Sequence, residues 1–272
     1  MADHYFAVTG SGSGTGVDAD NPQTFSTTNL NTAESAASSG DTIFFLDGTY
    51  ILIGTVSFDG PSGLTYKSFN LHGAKITGNG SLRAINIGQS STNTISLKDF
   101  QFEDLHINSS LDDNGGSKNL LDRIKHIDVT ALNRTSGHFN AADLDVTNSS
   151  FFLKYTGTGN KVFRTPASLT MTNCSIHCVV SGLPANDISI TGGSLSSNSL
   201  KNFIFSSDDS SVFATSHDLA SKASYSCFHN AGSANTSGGT NNIFADPQFV
   251  DLTTGDLRLR PTSPCIGAGT AS

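Results

Sequence analysis

Residues 122–145 hold the richest mixture of carboxylates and bases in the chain: Asp122, Arg123, Lys125, Asp128, Arg134, Asp143 and Asp145. Such groups can move protons, and converging carboxylates can hold a divalent cation. A solvated flank with scattered ion pairs explains the same residues and outweighs a catalytic reading. Asp112 with Asp113 and Asp208 with Asp209 are adjacent only in sequence. Neighbours in an extended segment point apart, so both pairs are expected in loops. Cys174, His177 and Cys178 offer ligand types on one short stretch, but a zinc site wants two well-spaced pairs, so no metal site is expected. The four cysteines are expected as buried, unpaired thiols from a reducing compartment.

The elements that must position these groups repeat. Leu144-Asp145-Val146-Thr147-Asn148-Ser149-Ser150-Phe151 is echoed 25 residues later by Leu169-Thr170-Met171-Thr172-Asn173-Cys174-Ser175-Ile176. The opening apolar–polar–apolar alternation is that of a strand. Asn tolerates the left-handed region and marks a bend, after which an apolar residue restarts the buried face. The phrase also fits Phe69, Leu71, Gly73 and Ile76; Ile95, Leu97, Asp99 and Phe102; and Ile188, Ile190, Gly192 and Leu195. One strand–bend–strand unit per roughly 20–30 residues is the mark of a solenoid. Leucine-rich repeats share the period, but their helical half is missing. The pattern predicts an all-β fold, a single-stranded right-handed parallel β-helix with coils of roughly 25 residues, over a β-sandwich with coincidental spacing.

That register sends Asn70, His72, Ser96, Lys98, Asp145, Thr147, Thr170, Thr172, Ser189 and Thr191 outward. It puts Asp122 at an inward slot of a degenerate coil near Leu120 to Ile127. Asn148 should stack beside Asn173 as a structural ladder. Residues Leu111 to Gly116 and Tyr155 to Lys161 read as loops leaving the column.

Charged residues make up 14% and the net charge is −8, with no basic run, so nucleic-acid binding has little electrostatic support. No apolar run is long enough to span a bilayer. The first six residues have neither a basic region nor an apolar stretch, which reads as no secretory signal.

A single domain is expected over residues 1–272. Residues 1–50 carry a first strand, a capping helix and the first coil. The column occupies 51–205, and 206–272 closes it. In the first part Leu30, Ala33, Ala36 and Ala37 share a helical face, Gly40 is a candidate C-cap, and Gly40-Asp41-Thr42-Ile43-Phe44-Phe45-Leu46-Asp47-Gly48-Thr49-Tyr50 follows. The last part reads Ala245-Asp246-Pro247-Gln248-Phe249-Val250-Asp251, then Gly255-Asp256-Leu257-Arg258-Leu259-Arg260-Pro261-Thr262-Ser263-Pro264-Cys265-Ile266-Gly267-Ala268-Gly269. Both ends resemble those of pectate-lyase-like β-helix proteins, with Cys265 where alanine is usual.

The resemblance implies the fold more than an activity, because this fold hosts enzymes, adhesins and virus proteins. Lyases of the family need an Arg or Lys base and a neutralised substrate carboxylate, often through calcium on Asp side chains. Asp122, Arg123, Lys125, Arg134, Asp143 and Asp145 are the candidates, yet no family catalytic segment maps onto them. A glycoside hydrolase would want close carboxylates. The expectation is therefore a non-enzymatic, exposed structural or adhesive protein without a cofactor. It would be a bacteriophage decoration, fibre or spike subunit at the virion surface, homo-oligomeric (a trimer foremost), bound to other virion proteins and in contact with host surface polysaccharide. A secreted polysaccharide lyase or glycoside hydrolase is the rival, and only there would calcium enter.

Overall fold

The computed structural model describes residues 3–78, 83–87, 94–109, 119–132, 139–140, 143–160, 162–164, 168–180, 182–184, 199–211, 219–232 and 236–270. It is an all-β, right-handed parallel β-helix with one short α-helix. Two compact units arise, Met1–Lys125 with Ala141–Asp145, and His126–Asn140 with Val146–Ser272.

In the first unit one sheet stacks Gln23–Thr24, His4–Ala7, Thr42–Phe45, Thr65–Ser68, Ser96–Lys98 and Asn119–Asp122 in parallel. A second sheet holds Gly48–Ile51, Ala74–Thr77 and Gln101–Glu103. A third holds Val56–Phe58, Arg83–Ile87 and Leu105–Ser109. Alternation turns Phe6, Phe45, Tyr66, Leu97 and Leu121 inward, where all are buried. Phe45 sits at the centre, with ring centroids 5.7 Å from Phe6 and 5.3 Å from Phe100.

The helix runs Thr27–Ala36, starting earlier than the apolar pattern suggests because Ser26 caps it, its hydroxyl accepting from Asn29 N at 3.1 Å. Ala37, not Gly40, is its C-cap, and Gly40 takes its left-handed conformation three residues further on. The buried helical face is Leu30, Ala33 and Glu34.

In the second unit the first sheet holds Ser168–Thr172, Ser199–Lys201 and Ala223–Ser224. The second holds Ser150–Lys154, Ser175–Val179, Ile204–Ser207 and Cys227–His229. Phe151, Ile176, Phe205 and Phe228 point inward and are buried. An antiparallel hairpin, Phe249–Asp251 with Asp256–Leu259, lays Phe249 and Leu257 on the outward-facing Phe152, beside Ile127, Val179 and Ile204. Gly255 makes that approach possible: it adopts φ 71°, and a Cβ there would meet Phe152 at 3.1 Å and Ile127 at 3.2 Å.

Two parts of the sequence register are corrected. Phe69 and Leu71 are not core residues; they are 46% and 62% exposed, while Leu64 and Tyr66 are fully buried in their place. The turn is longer in this coil. The Ser68 hydroxyl donates to Asn70 O and accepts from Ala74 N, and the left-handed residue comes only at His72. His72 is thus a bend residue, not a strand residue. Asp122 faces outward: it pairs in register with Lys98, and its neighbour Leu121 takes the inward slot. The phrase at Ile188 to Leu195, with Ser189 and Thr191, and the loop Leu111 to Gly116 lie outside the described residues. The strand that pairs with Ser168–Thr172 is Ser199–Lys201.

Candidate functional site

A left-handed residue ends the first strand of successive coils. In the first unit these are His72, Asp99 and Arg123, with φ of 57°, 67° and 53°. In the second they are Asn148, Asn173, Asn202 and Tyr225. Backbone bonds hold the bends one above another: His72 N donates to Asp99 O at 2.7 Å, and Asp99 N to Asp122 O at 3.0 Å. The expected ladder forms and is longer than anticipated. Asn173 Nδ2 donates to Asn148 Oδ1 at 3.1 Å, and Asn202 Nδ2 to Asn173 Oδ1 at 2.9 Å.

In the first unit the stacked bends carry charge. Arg123 grips Asp99 with two bonds, Nε to Oδ1 at 2.5 Å and Nη2 to Oδ2 at 3.0 Å. Its Nη1 reaches Asp122 Oδ2 at 2.6 Å. Lys67 Nζ lies 3.9 Å from Asp99 Oδ2. His72 Nε2 lies 3.0 Å from Arg123 O, and burial is the main cause that lowers the pKa of its ring. The Asp99 hydrogen bond raises the Arg123 pKa above its ordinary value. Two carboxylates therefore converge on a guanidinium. A guanidinium held this way is a poor proton acceptor.

The structure brings Asp122 and Arg123 together and adds Asp99, Lys67 and His72. Lys125 lies on the strand Lys125–Ile127 and bonds through its backbone to Phe100 O at 3.0 Å. Asp143 and Asp145 belong to the strand Asp143–Thr147, with Asp145 half-buried. Arg134 lies outside the described residues. Among the described residues, no group of three or more His, Cys, Asp or Glu side chains is arranged to hold a metal ion.

Replacing Arg123 with alanine is expected to cost about 1–2 kcal/mol, because the side-chain carboxylate of Asp99, only 7% exposed, loses its bidentate partner. The Arg123 side chain is 42% exposed, which keeps the figure at the low end. Urea denaturation checks this, and Arg123→Lys should recover only part of the loss.

Two constellations escaped the sequence reading. The first is an outward row on the first sheet, aligned by strand register as Tyr5, Phe44, Lys67, Lys98 and Asp122. Tyr5 and Phe44 stack with centroids 4.9 Å apart and planes 14° apart, Phe69 meets Phe44 edge-on, and Lys67 Nζ stands 6.0 Å from the Phe44 ring. Only pairing register aligns these residues, so no local pattern announces them. The second is Glu34, buried under the capping helix. Its Oε1 accepts from the Tyr66 hydroxyl and from Asp59 N, and burial raises its pKa despite the Tyr66 bond. Glu34 and Asp59 line a cavity of about 460 Å³ with Asn31, Ser57 and Pro61. The Tyr66 and Asp59 bonds tie the helix to the first coils, a structural role.

No protein-family model and no curated protein matches the sequence. Solved structures do. Pectate lyase Pel9A aligns over 99% of this chain and 92% of its own, at 14% identity and a TM-score of 0.50. Pectin methylesterase PemA from Erwinia chrysanthemi aligns over 90% and 74%, at 11% identity and a TM-score of 0.46. The chain therefore has the pectate-lyase-like right-handed β-helix fold. At these identities the likeness defines a fold and not an activity.

Proposed function

We propose that the protein is a non-enzymatic, exposed β-helix that contacts host surface glycans, as a decoration, fibre or spike subunit of a bacteriophage particle. It works there as a homo-oligomer, with a trimer the favoured state, seated on other virion proteins. The observation that carries the glycan contact is the outward row Tyr5, Phe44, Lys67 and Lys98. Stacked rings offer a flat apolar surface to the C–H face of a sugar, and the ammonium groups beside them donate to hydroxyls or acidic substituents. Successive coils repeat at about 4.8 Å, so a glycan lying along the row meets one side chain per coil. The engagement of Arg123 by Asp99 and Asp122 supports binding over turnover.

The rival is a polysaccharide lyase, which the likeness to a pectate lyase fold favours. It would need Arg123 or a nearby lysine released as base, with calcium replacing the guanidinium between Asp99 and Asp122.

Glycan-array binding and light scattering test the proposal together. Binding to a surface polysaccharide is expected, weakened at least tenfold in Phe44→Ala, and the mass should be a multiple of one chain. A monomer that binds no glycan sinks it. Unsaturated products absorbing in the ultraviolet from pectate, alginate or chondroitin would establish the rival, most firmly if Arg123→Ala abolished them while remaining folded.

A further inference from the structure

Three of the four cysteines are buried as the sequence suggests, and Cys265 is half-buried. The buried titratable group with a distinctive setting is His177. Strand register on the second sheet aligns Phe152, His177, Ser206 and His229 in one outward row. An outward side chain on a solenoid ordinarily meets water, yet His177 is only 2% exposed. The C-terminal hairpin reaches it. The Phe249 ring meets the imidazole edge-on at 6.1 Å, while Phe249 and Leu257 pack on Phe152.

The hairpin is anchored at both ends and packed in the middle. Before it, Phe228 N donates to Ile243 O at 2.9 Å and Ile243 N to Ser226 O at 2.7 Å. After it, Asn202 Nδ2 donates to Thr270 O at 2.8 Å and Thr270 N to Asn202 Oδ1 at 2.9 Å. Between these anchors the polar contacts close the segment on itself. Arg260 N donates to Gln248 O, Arg260 Nη2 to Val250 O, and Ser263 Oγ to Pro247 O. Apolar packing of Phe249 and Leu257 on Phe152, beside Ile127, Val179 and Ile204, joins this stretch to the column. A segment tied at residues 243 and 270 and packed between them can lift while both ties hold.

We propose that the hairpin is an acid-operated clasp, closed on the column while His177 is neutral and lifting from it when His177 takes a proton. Closed, the imidazole has a neutral partner, Ser206 Oγ, at 2.7 Å and lies against the rings of Phe152 and Phe249. That setting accepts a neutral ring and disfavours a cation. The ionisable groups acting on it are Asp208 and His229 from the coils and Asp246 from the approach to the hairpin. Burial outweighs the pull of the two carboxylates and holds its pKa at about 4. The neighbouring charges are otherwise engaged. Lys154 Nζ bonds Val129 O, Asp251 accepts from Thr253 and Thr254, and Asp256 pairs with Arg258.

Lifted, the ring meets water and titrates near 6.5. The closed form has the lower pKa, so the open form binds the proton more tightly. Closure is fully favoured above about pH 6.5 and is progressively lost as the pH falls to about 4. Opening bares Phe152 and its apolar neighbours, so acid turns a covered face into an exposed one.

Hydrogen exchange of the full chain, read by peptide mass and divided by the intrinsic rate at each pH, tests this. A detached two-stranded hairpin is marginal in water, so its amides exchange once it lifts. From about pH 7 to about pH 5, opening of peptides within residues 246–263 should rise roughly twentyfold. Peptides holding the coil strands Thr65–Ser68 and Ser175–Val179 should keep their protection. His177→Gln should hold the hairpin's exchange constant across that range. Gly255→Ala, which drives a methyl group against Phe152, should raise hairpin exchange at both pH values and leave the coils protected. Equal hairpin exchange at the two pH values, a rise shared by every peptide, or an unchanged pH response in His177→Gln would each overturn the proposal. Should His177→Gln fail to fold, the contrast between hairpin and coils in the unaltered chain decides alone.

Discussion

Asp128→Ala is expected to destabilise the protein by about 3–5 kcal/mol, the largest effect of any single polar substitution proposed for it. Asp128 and His126 are wholly shielded from solvent, and His126 Nε2 lies 2.8 Å from Asp128 Oδ1. The other carboxylate oxygen accepts from Lys154 N at 3.0 Å, bonding one coil to the next. Alanine would strip a buried ring nitrogen and a buried backbone N–H of their acceptor together and leave a void. Asp128→Asn keeps an acceptor for Lys154 N and can still face the imidazole, so about 1–2 kcal/mol is expected. Urea denaturation of both variants distinguishes the cases. A loss below about 1 kcal/mol for alanine would mean that water or a rearranged side chain replaces the carboxylate.

The second large effect is a loss of stability in mild acid, centred on His177. Its ring stacks on Phe152 with centroids 5.7 Å apart, meets Phe249 edge-on at 6.1 Å, and bonds through Nδ1 to Ser206 Oγ at 2.7 Å. Burial is the main cause that pulls its pKa down to about 4, with Asp208 and Asp246 opposing and His229 assisting. The folded protein thus keeps the ring neutral where the unfolded chain, titrating near 6.5, already takes up a proton. The unfolded state binds more protons below pH 6.5, so stability falls as the pH drops from about 6.5 to about 4 and levels off below that. The full difference is about 3 kcal/mol. In His177→Gln this portion of the pH dependence should disappear while the contribution of the carboxylates remains. Parallel pH profiles for the two proteins would refute the assignment.

The sequence revealed the fold where a bend residue advertises itself. Asn148 and Asn173 are asparagines in left-handed positions, and their side chains bond each other, so residue type, spacing and structure agree. His72, Arg123 and Tyr225 take the same conformation without any such signal. There backbone bonds between coils, such as His72 N to Asp99 O, hold a conformation that the residue type does not announce. This is why Phe69 and Leu71 were misplaced by the alternation: both registers alternate, and only the longer turn at Ser68 to His72 chooses between them. The charged cluster was half legible for a related reason. Asp122 and Arg123 are neighbours in sequence, whereas Asp99 joins them only because one coil lies above the other. The Tyr5–Phe44–Lys67–Lys98 row has one member per strand and was invisible for the same cause.

The hairpin that lies over Phe152 also sets a schedule. Ile127, Phe152, Val179 and Ile204 form an outward apolar patch on which Phe249 and Leu257 of the hairpin pack. At ordinary translation speeds the chain between the first of these residues and its cover takes on the order of 10 s to emerge. For that interval the growing column displays a sticky strip on a finished sheet, and a neighbouring nascent chain could dock there first. The final segment is therefore a timing element as well as a lid. Ribosome pausing, or early release upstream of residue 249, should convert well-folded coils into aggregation-prone ones without disturbing a single bond in their interior.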